Sequence, residues 1–391
     1  MYFQTLDDKT KCVGVYTDGK LHYDDIPTGL TRTWRYTGAD SDEAVEYGWL
    51  YANGAKLENA CPPDLLEALQ KVQKRFRAYL KSFKIGRINL REHCLFELVP
   101  ENFLKEFCEI KNKITEHVFE TRERPENYDL LSDLQKLLYK IKYQDLNLNT
   151  EGCRELYYTS KGRIKATELL KNYRYIDYNL FGTVTGRLTT LPDSFPILTL
   201  NKDFRKLMKP HNDLFVSLDY NGAEVRTFLD LSGHEQPEGD IHDWNVKNIF
   251  DGQYDRDMAK TIFFAWLYNP ESKVINYSHY DRKKVLDKWY DGGYIYTPYN
   301  RKILVEKRKA LNYLIQSTTA DRVFAAAVEI DKRLEGRKSF ISHIVHDEIV
   351  IDFSDEDRES VLEIKQIFEK GGFKANAKAG KNYFDLEALN I

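Results

Sequence analysis

Two short apolar stretches, residues 340–345 and 349–353, flank a polar centre, His346-Asp347-Glu348. Stretches of this length rich in Ile and Val read as strands, and so brief a break between them reads as a hairpin. The centre lacks the Asn-Gly or Asp-Gly pair that tight hairpins favour. A further strand-like stretch, residues 214–218, runs directly into Asp219. The chain must therefore place one carboxylate at the end of a hydrophobic strand and another in the middle of a hydrophobic hairpin. An unpaired carboxylate is costly to bury, so Asp219 and Asp347 each need a partner.

The rest of the chain divides in character. Residues 1–60 carry short alternating stretches such as 12–16 and 20–23, broken by Asp, Gly and Pro, and predict strands and turns. Asp64 and Glu67 have the spacing of a capping box. Leu65, Leu69, Val72, Phe76, Tyr79 and Phe83 then recur at helical spacing and predict a helix over 64–84. Phe103, Phe107, Ile110, Ile114 and Val118 mark a second helix after Pro100. A third is expected over 129–143, and the polar link between the two suggests an antiparallel projection. From about 174 onwards strands alternate with helices, expected over 222–233, 255–268, 306–335 and 355–370.

With 42% hydrophobic and 30% charged residues the chain suits a folded globular protein. No apolar run reaches the ~20 residues that cross a bilayer, and the polar first eleven residues do not resemble a secretory signal. Cys12, Cys61, Cys94, Cys108 and Cys153 form no CxxC pair, so neither zinc nor a disulfide framework is expected, and a reducing compartment is the simpler reading. The formal net charge of −3 argues against indiscriminate nucleic-acid binding but leaves room for a local basic track. One candidate is Lys71, Lys74, Arg75, Arg77, Lys81, Lys84, Arg87 and Arg91, a run with no acidic residue inside it; an ordinary solvated helix face is the equal alternative.

A divalent cation would satisfy both Asp219 and Asp347. Mg²⁺ takes few carboxylates and keeps waters and substrate phosphates as its other ligands. Two such ions about 4 Å apart divide the work of phosphoryl transfer between the attacking hydroxyl and the leaving group. Spacing alone favours the plainer reading, that the two acids are unrelated turn or cap residues. Arg256, Lys260, Phe264 and Tyr268 are four apart and fall roughly on one helix face over ~18 Å. That length matches a nucleoside triphosphate, with Arg256 and Lys260 on phosphate oxygens and Phe264 and Tyr268 near sugar and base. Lys260 is also placed to donate a proton to departing pyrophosphate. By pattern alone, core aromatics beside solvated charges account for the same series.

In order along the chain, these motifs resemble the family A DNA polymerases, related to bacterial DNA polymerase I and to many phage replicases. The resemblance covers 174–391 well and 90–173 only in helical pattern. Thr185-Gly186-Arg187-Leu188 resembles the TGRL element, which implies that Arg187 contacts primer–template. The segment 219–226 resembles DYSQIELR. It implies Asp219 as the first catalytic carboxylate, Glu224 as the gate against a ribose 2′-hydroxyl, and a DNA-contacting Arg226. Gly222 stands where the motif has Gln. His242 resembles the histidine near the incoming phosphates. The series from Arg256 resembles RxxxKxxxFxxxY, with departures at Ala265, Asn269 and Pro270. Arg308, Asn312 and Gln316 resemble an RxxxNxxxQ element on primer–template. Residues 345–348 resemble VHDE, with Asp347 as second metal ligand, Glu348 as a nearby catalytic acid and His346 at the primer end.

The resemblance implies an α+β multidomain, right-hand polymerase fold with a palm sheet, helical fingers and a helical thumb. The expected division is an N-terminal α+β segment at 1–90 (a reduced exonuclease remnant or accessory domain), thumb 91–173, palm 174–240, fingers 241–305 and palm 306–391. The expected activity is DNA-templated DNA synthesis on a primer 3′-hydroxyl from dNTPs, without 3′→5′ proofreading. It uses two Mg²⁺, replaceable by Mn²⁺, held by Asp219, Asp347 and the Tyr220 carbonyl. Expected partners are primer–template DNA and dNTPs, for a monomer that does not engage a membrane and works in the cytoplasm, at the nucleoid, or as a viral protein in a host. Competing readings are a single-subunit RNA polymerase or primase, against which Glu224 argues, and a noncatalytic primer–template binding protein.

Overall fold

The computed structural model describes residues 1–7, 13–23, 25–38, 44–90, 93–275, 277 and 279–389, in two units, Met1–Tyr139 and Lys140–Ile391. Cys12 and Arg91, which belong to the strand and basic-run expectations above, lie outside the described residues.

In the first unit, β1 (Gln4–Thr5), β2 (Val15–Thr17) and β3 (Lys20–His22) form a small antiparallel sheet. Two long helices follow, α1 (Leu66–Ile85) and α2 (Glu101–Thr121). They meet through aromatic side chains: Phe76 stacks on Phe107 at 5.2 Å and Tyr79 meets Phe103 at 5.2 Å. The expected capping box does not form. Pro63–Leu65 makes a 3₁₀ turn, and α1 starts one residue later from Leu65, without a side-chain cap. Pro at the first helical position supplies the preset backbone that a cap would otherwise secure. Most of the basic run lies on α1, where Lys71, Lys74, Arg77, Lys81 and Lys84 are exposed and Arg75 pairs with Glu106 at 2.8 Å; Arg87 follows the helix end at Ile85. A third helix, α3 (Tyr128–Lys142), carries the expected apolar face, and the boundary between the two units falls within it. Cys94 is disulfide-bonded, contrary to the expectation of wholly reduced cysteines. Spacing could not reveal this, because pairing depends on which loops the fold brings together. Cys61, Cys108 and Cys153 are free.

The second unit is organised by a five-stranded antiparallel sheet. β4 (Leu214–Tyr220) leads into α4 (Ala223–Ser232), α5 (Ile241–Asn248) and α6 (Arg256–Tyr268). After a small three-stranded sheet over 290–304 comes α7 (Lys307–Arg333), of 27 residues. The hairpin β5 (Phe340–Val345) and β6 (Glu348–Phe353) follows, then α8 (Val361–Phe368), β7 (Ala375–Gly380) and β8 (Glu387–Ala388). The spatial order is β5-β6-β4-β7-β8, which puts β4 at the centre. Val216, Leu218, Ile349 and Ile351 are almost fully buried there, each contributing about 1.5–3 kcal/mol of apolar burial. The central position is what fixes Asp219: it lies opposite Glu348 on one side and Asn376 on the other.

The hairpin expectation holds, with His346 and Asp347 as a two-residue loop between the paired Val345 and Glu348. His346 supplies the left-handed backbone at φ 55 that Asn or Gly usually provides. The helix expected over 355–370 is split into a 3₁₀ turn, Asp355–Ser360, and α8. The sequence reading did not single out the helix Ser160–Asn172, whose buried residues are only Ala166 and Leu169. Among the described residues no helix is long and apolar enough to cross a membrane.

Candidate active site

The strand register of β4 and β6 carries Asp219 and Asp347 to the same sheet end, where the Tyr220 N–H donates to the Asp347 carbonyl at 3.4 Å. Both acids line a cavity of about 440 Å³. Burial first, and then the neighbouring Asp347 and Glu348 charges, push the Asp219 carboxyl up to about 7. Burial also raises Asp347, to which Glu224 adds, while the loop backbone, His346 and Arg187 oppose it. Two neighbouring acids whose proton affinities are both raised, neither in an ion pair among the described residues, form a locus of unbalanced negative charge.

The opposite wall comes from α6. Asp255 caps this helix by accepting from the Met258 N–H at 2.8 Å. Ala259, Phe263, Trp266 and Leu267 bury one face in an apolar core. The other face then points Arg256, Lys260 and Phe264 into the cavity, as their four-residue spacing predicts. Tyr268 continues that face, stacked on Phe264 at 6.0 Å, and its hydroxyl donates to Glu224. The helix stops at Asn269, where Arg282 donates to the Trp266 and Asn269 carbonyls at 2.9 and 2.7 Å. Asn269 and Pro270, the departures noted above, thus fall outside the helix.

Between the two walls lie Arg187, Glu224, His242 and His346. Arg187 donates to Glu224 at 2.7 Å, so Glu224 ties Arg187 to Tyr268. The Thr185-Gly186-Arg187 turn rests on a buried ion pair: Arg301 meets Asp321 of α7 at 2.5 Å. At Gly186, φ is 80 and a Cβ would lie 2.5 Å from the Arg301 guanidinium carbon, so the turn admits no side chain there. Burial lowers the His242 imidazole to about 4, which keeps it neutral near pH 7. Thr319 and Ala320 of α7 also line the cavity. Arg308, Asn312 and Gln316 sit at four-residue steps before Ala320, on the same helical row.

Two residues are placed otherwise than the sequence suggested. Arg226 is fully buried and donates to the carbonyls of Asn221, Pro237 and Gly239 at 2.8, 3.0 and 2.6 Å, so it braces the turn after β4 and is not exposed for the ligand contact that the resemblance implied. Position along α4 decides this, since the core side of that helix holds Arg226 among Val225, Phe228 and Leu229. Glu348 does not line the cavity: its carboxylate accepts from Ser217 at 2.5 Å and from Tyr383 at 2.6 Å, and it acts on Asp219 through its charge. Sequence reading missed Asn221, Asp240 and Asn376. Asn376 hydrogen-bonds Asp219 from β7, a contact set by strand pairing across more than 150 positions of chain. Among the described residues no group of three or more His, Cys, Asp or Glu side chains is arranged as a metal cage. Mg²⁺ does not need one, because it draws on one or two carboxylates and on substrate phosphates.

No family model matches the chain. DNA polymerase I of Lactococcus lactis is 24% identical over 266 residues, 52% of this chain and 30% of the relative. DNA polymerase I of Aquifex aeolicus is 25% identical over 251 residues, 52% of this chain and 43% of the relative. The thermostable DNA polymerase I of Thermus aquaticus is 25% identical over 245 residues, 49% of this chain and 29% of the relative. The chain thus spans less than half the length of these curated relatives. Among solved structures, the POL domain of Pol1 from M. smegmatis, in complex with DNA primer-template and dNTP, matches with a TM-score of 0.67. The match covers 98% of this chain and 95% of that one at 14% identity, a likeness of fold. By its fold the chain is similar to that POL domain, and over about half of its length its sequence is similar to DNA polymerase I.

Proposed function

We propose that this protein is a DNA-templated DNA polymerase that adds dNMP units from dNTPs to a primer 3′-hydroxyl. One observation carries the reading: Asp219 and Asp347 meet in a single cavity that also receives Arg256 and Lys260. The same site supports a metal-assisted reaction, because two half-buried acids that hold their protons too tightly fit a dication better than they fit each other. Asp219, Asp347 and the Tyr220 carbonyl would hold Mg²⁺, or Mn²⁺ in its place, and metal held there would supply acidification of the primer hydroxyl and charge neutralisation for the departing pyrophosphate.

The chain's own groups do the rest. Arg256 and Lys260 grip triphosphate oxygens, and Lys260 donates a proton as pyrophosphate leaves. Phe264 and Tyr268 face the sugar and base. Glu224 fills the space a 2′-hydroxyl would need, which selects dNTPs over rNTPs. Neutral His242 donates from its ring to a phosphate oxygen without adding charge. Arg187, Arg308, Asn312, Gln316 and His346 steady the primer–template. We assign residues 174–240 and 306–391 to the palm, 241–305 to the fingers, 91–173 to the thumb and 1–90 to an accessory segment without 3′→5′ proofreading activity.

The test is extension of a labelled primer–template by purified protein with dNTPs and Mg²⁺. Asp219→Asn and Asp347→Asn are each expected to nearly abolish extension while retaining most duplex affinity. Undiminished extension by both variants would remove the proposal, and binding without extension by the wild type would favour a noncatalytic DNA-binding role.

A further inference from the structure

Arg256 enters the cavity already held. Its Nε and Nη2 donate to the two carboxylate oxygens of Asp240, at 3.3 and 2.7 Å. That side-on grip uses one edge of the guanidinium and leaves Nη1 without a hydrogen-bond partner among the described residues, with the exposed Asp257 3.6 Å away. Asp240 is itself fixed from three directions. It caps α5, accepting from the backbone N–H of His242 and of Asp243 at 2.8 and 3.1 Å. It accepts from Asn221 Nδ2 at 2.8 Å, and Asn221 Oδ1 in turn accepts from the Ile241 N–H at 2.9 Å.

The chain departs from its family motif here. Gly222, at φ 64, is so close to α5 that a Cβ would lie 2.3 Å from the Ile241 side chain. Absence of a side chain at 222 lets Asn221 reach the start of α5. A continuous path of hydrogen bonds therefore runs from the turn after Asp219, through Asn221 and Asp240, to the N-terminal end of α6. Burial opposes ionisation of Asp240, but the bonds from Arg256, Asn221 and the two backbone N–H groups more than offset it and hold the carboxyl well below the ordinary range.

We propose that Asp240, braced by Asn221, is a positioning residue that orients the Arg256 guanidinium so that its free edge meets the triphosphate of the incoming nucleotide. The proposal rests on the polymerase reading of the site. An unrestrained Arg must give up rotamer freedom on binding phosphate, whereas one clamped along its Nε edge has already lost it. The pair is a charge-assisted, two-point contact of the kind that fixes geometry.

Asp240→Asn isolates this role, because Asn caps a helix as well as Asp does but lacks the charge that holds Arg256. The experiment is a cycle of wild type, Asp240→Asn, Arg256→Ala and the double variant, each measured for dNTP KM and kcat at saturating primer–template. Asp240→Asn is expected to raise KM roughly three- to ten-fold with a smaller change in kcat, and to add nothing once Arg256 is gone. Full multiplication of the two effects would overturn the proposal, since Asp240 would then act independently of Arg256. So would a lowered KM, which would make Asp240 a competitor of phosphate. If the wild type fails to extend primers, the polymerase reading fails by that result alone. The same cycle read by calorimetric binding of dATP with Mg²⁺ then decides the positioning role, which an unchanged affinity in Asp240→Asn would refute. Thermal melts identify any variant that is merely unfolded.

Discussion

Neutralising Asp219 is expected to remove activity and yet stabilise the metal-free protein. Its carboxyl is raised from 3.8 to about 7 by burial and by the Asp347 and Glu348 charges. A group that holds its proton more tightly in the folded chain than in the unfolded one favours folding at low pH. That contribution is lost as pH rises from about 4 to about 7, and above that the folded protein carries the cost of the ionised form. At about 1.4 kcal/mol per pKa unit the ceiling is about 4 kcal/mol. Asp219 is partly solvent-accessible and shares its field with Asp347, so about 1–2 kcal/mol is the fair expectation. For a unit of this size that corresponds to a rise in Tm of about 3–6 °C. The assay is thermal denaturation of wild type and Asp219→Asn in EDTA at pH 5 and at pH 8.5. The gain should be full at pH 8.5 and only about a third as large at pH 5, and added Mg²⁺ or Mn²⁺ at pH 8.5 should raise the wild type more than the variant. An equal gain at both pH values, or a variant less stable at pH 8.5, would refute the charge-repulsion argument.

Other outcomes follow from the same geometry. Glu224→Ala should weaken discrimination between dNTP and rNTP by roughly two orders of magnitude, read as the ratio of kcat/KM values; it should also free Tyr268 and Arg187, both now bonded to Glu224. Lys260→Ala should lower kcat by about 10²–10⁴-fold. Lys260→Arg should restore the triphosphate KM but not kcat, and full recovery of kcat would limit Lys260 to a charge role. Arg226→Lys should lower stability by about 2–3 kcal/mol, because it leaves buried carbonyls without donors, while the salt dependence of DNA binding stays as in the wild type; a shallower salt slope would restore Arg226 to the DNA surface.

Local pattern along the chain was enough to place most of the elements and to group the side chains that share a face. Apolar runs bounded by polar residues placed β4, β5 and β6, and a four-residue period put Arg256, Lys260 and Phe264 on one face of α6. These are local properties, set by a backbone that repeats every 2 or 3.6 residues. Ordered motifs then supplied the expectation that Asp219 and Asp347 belong together. Which neighbour each side chain meets was settled by how the elements pack. Strand order in the sheet gave Asp219 its partners Glu348 and Asn376. The core side of α4 took Arg226, the Ser217 and Tyr383 hydroxyls took Glu348, and Gly222 let Asn221 reach Asp240. Each of those contacts joins residues whose separation along the chain carries no signal, because packing and hydrogen-bond satisfaction are settled among elements, not within them.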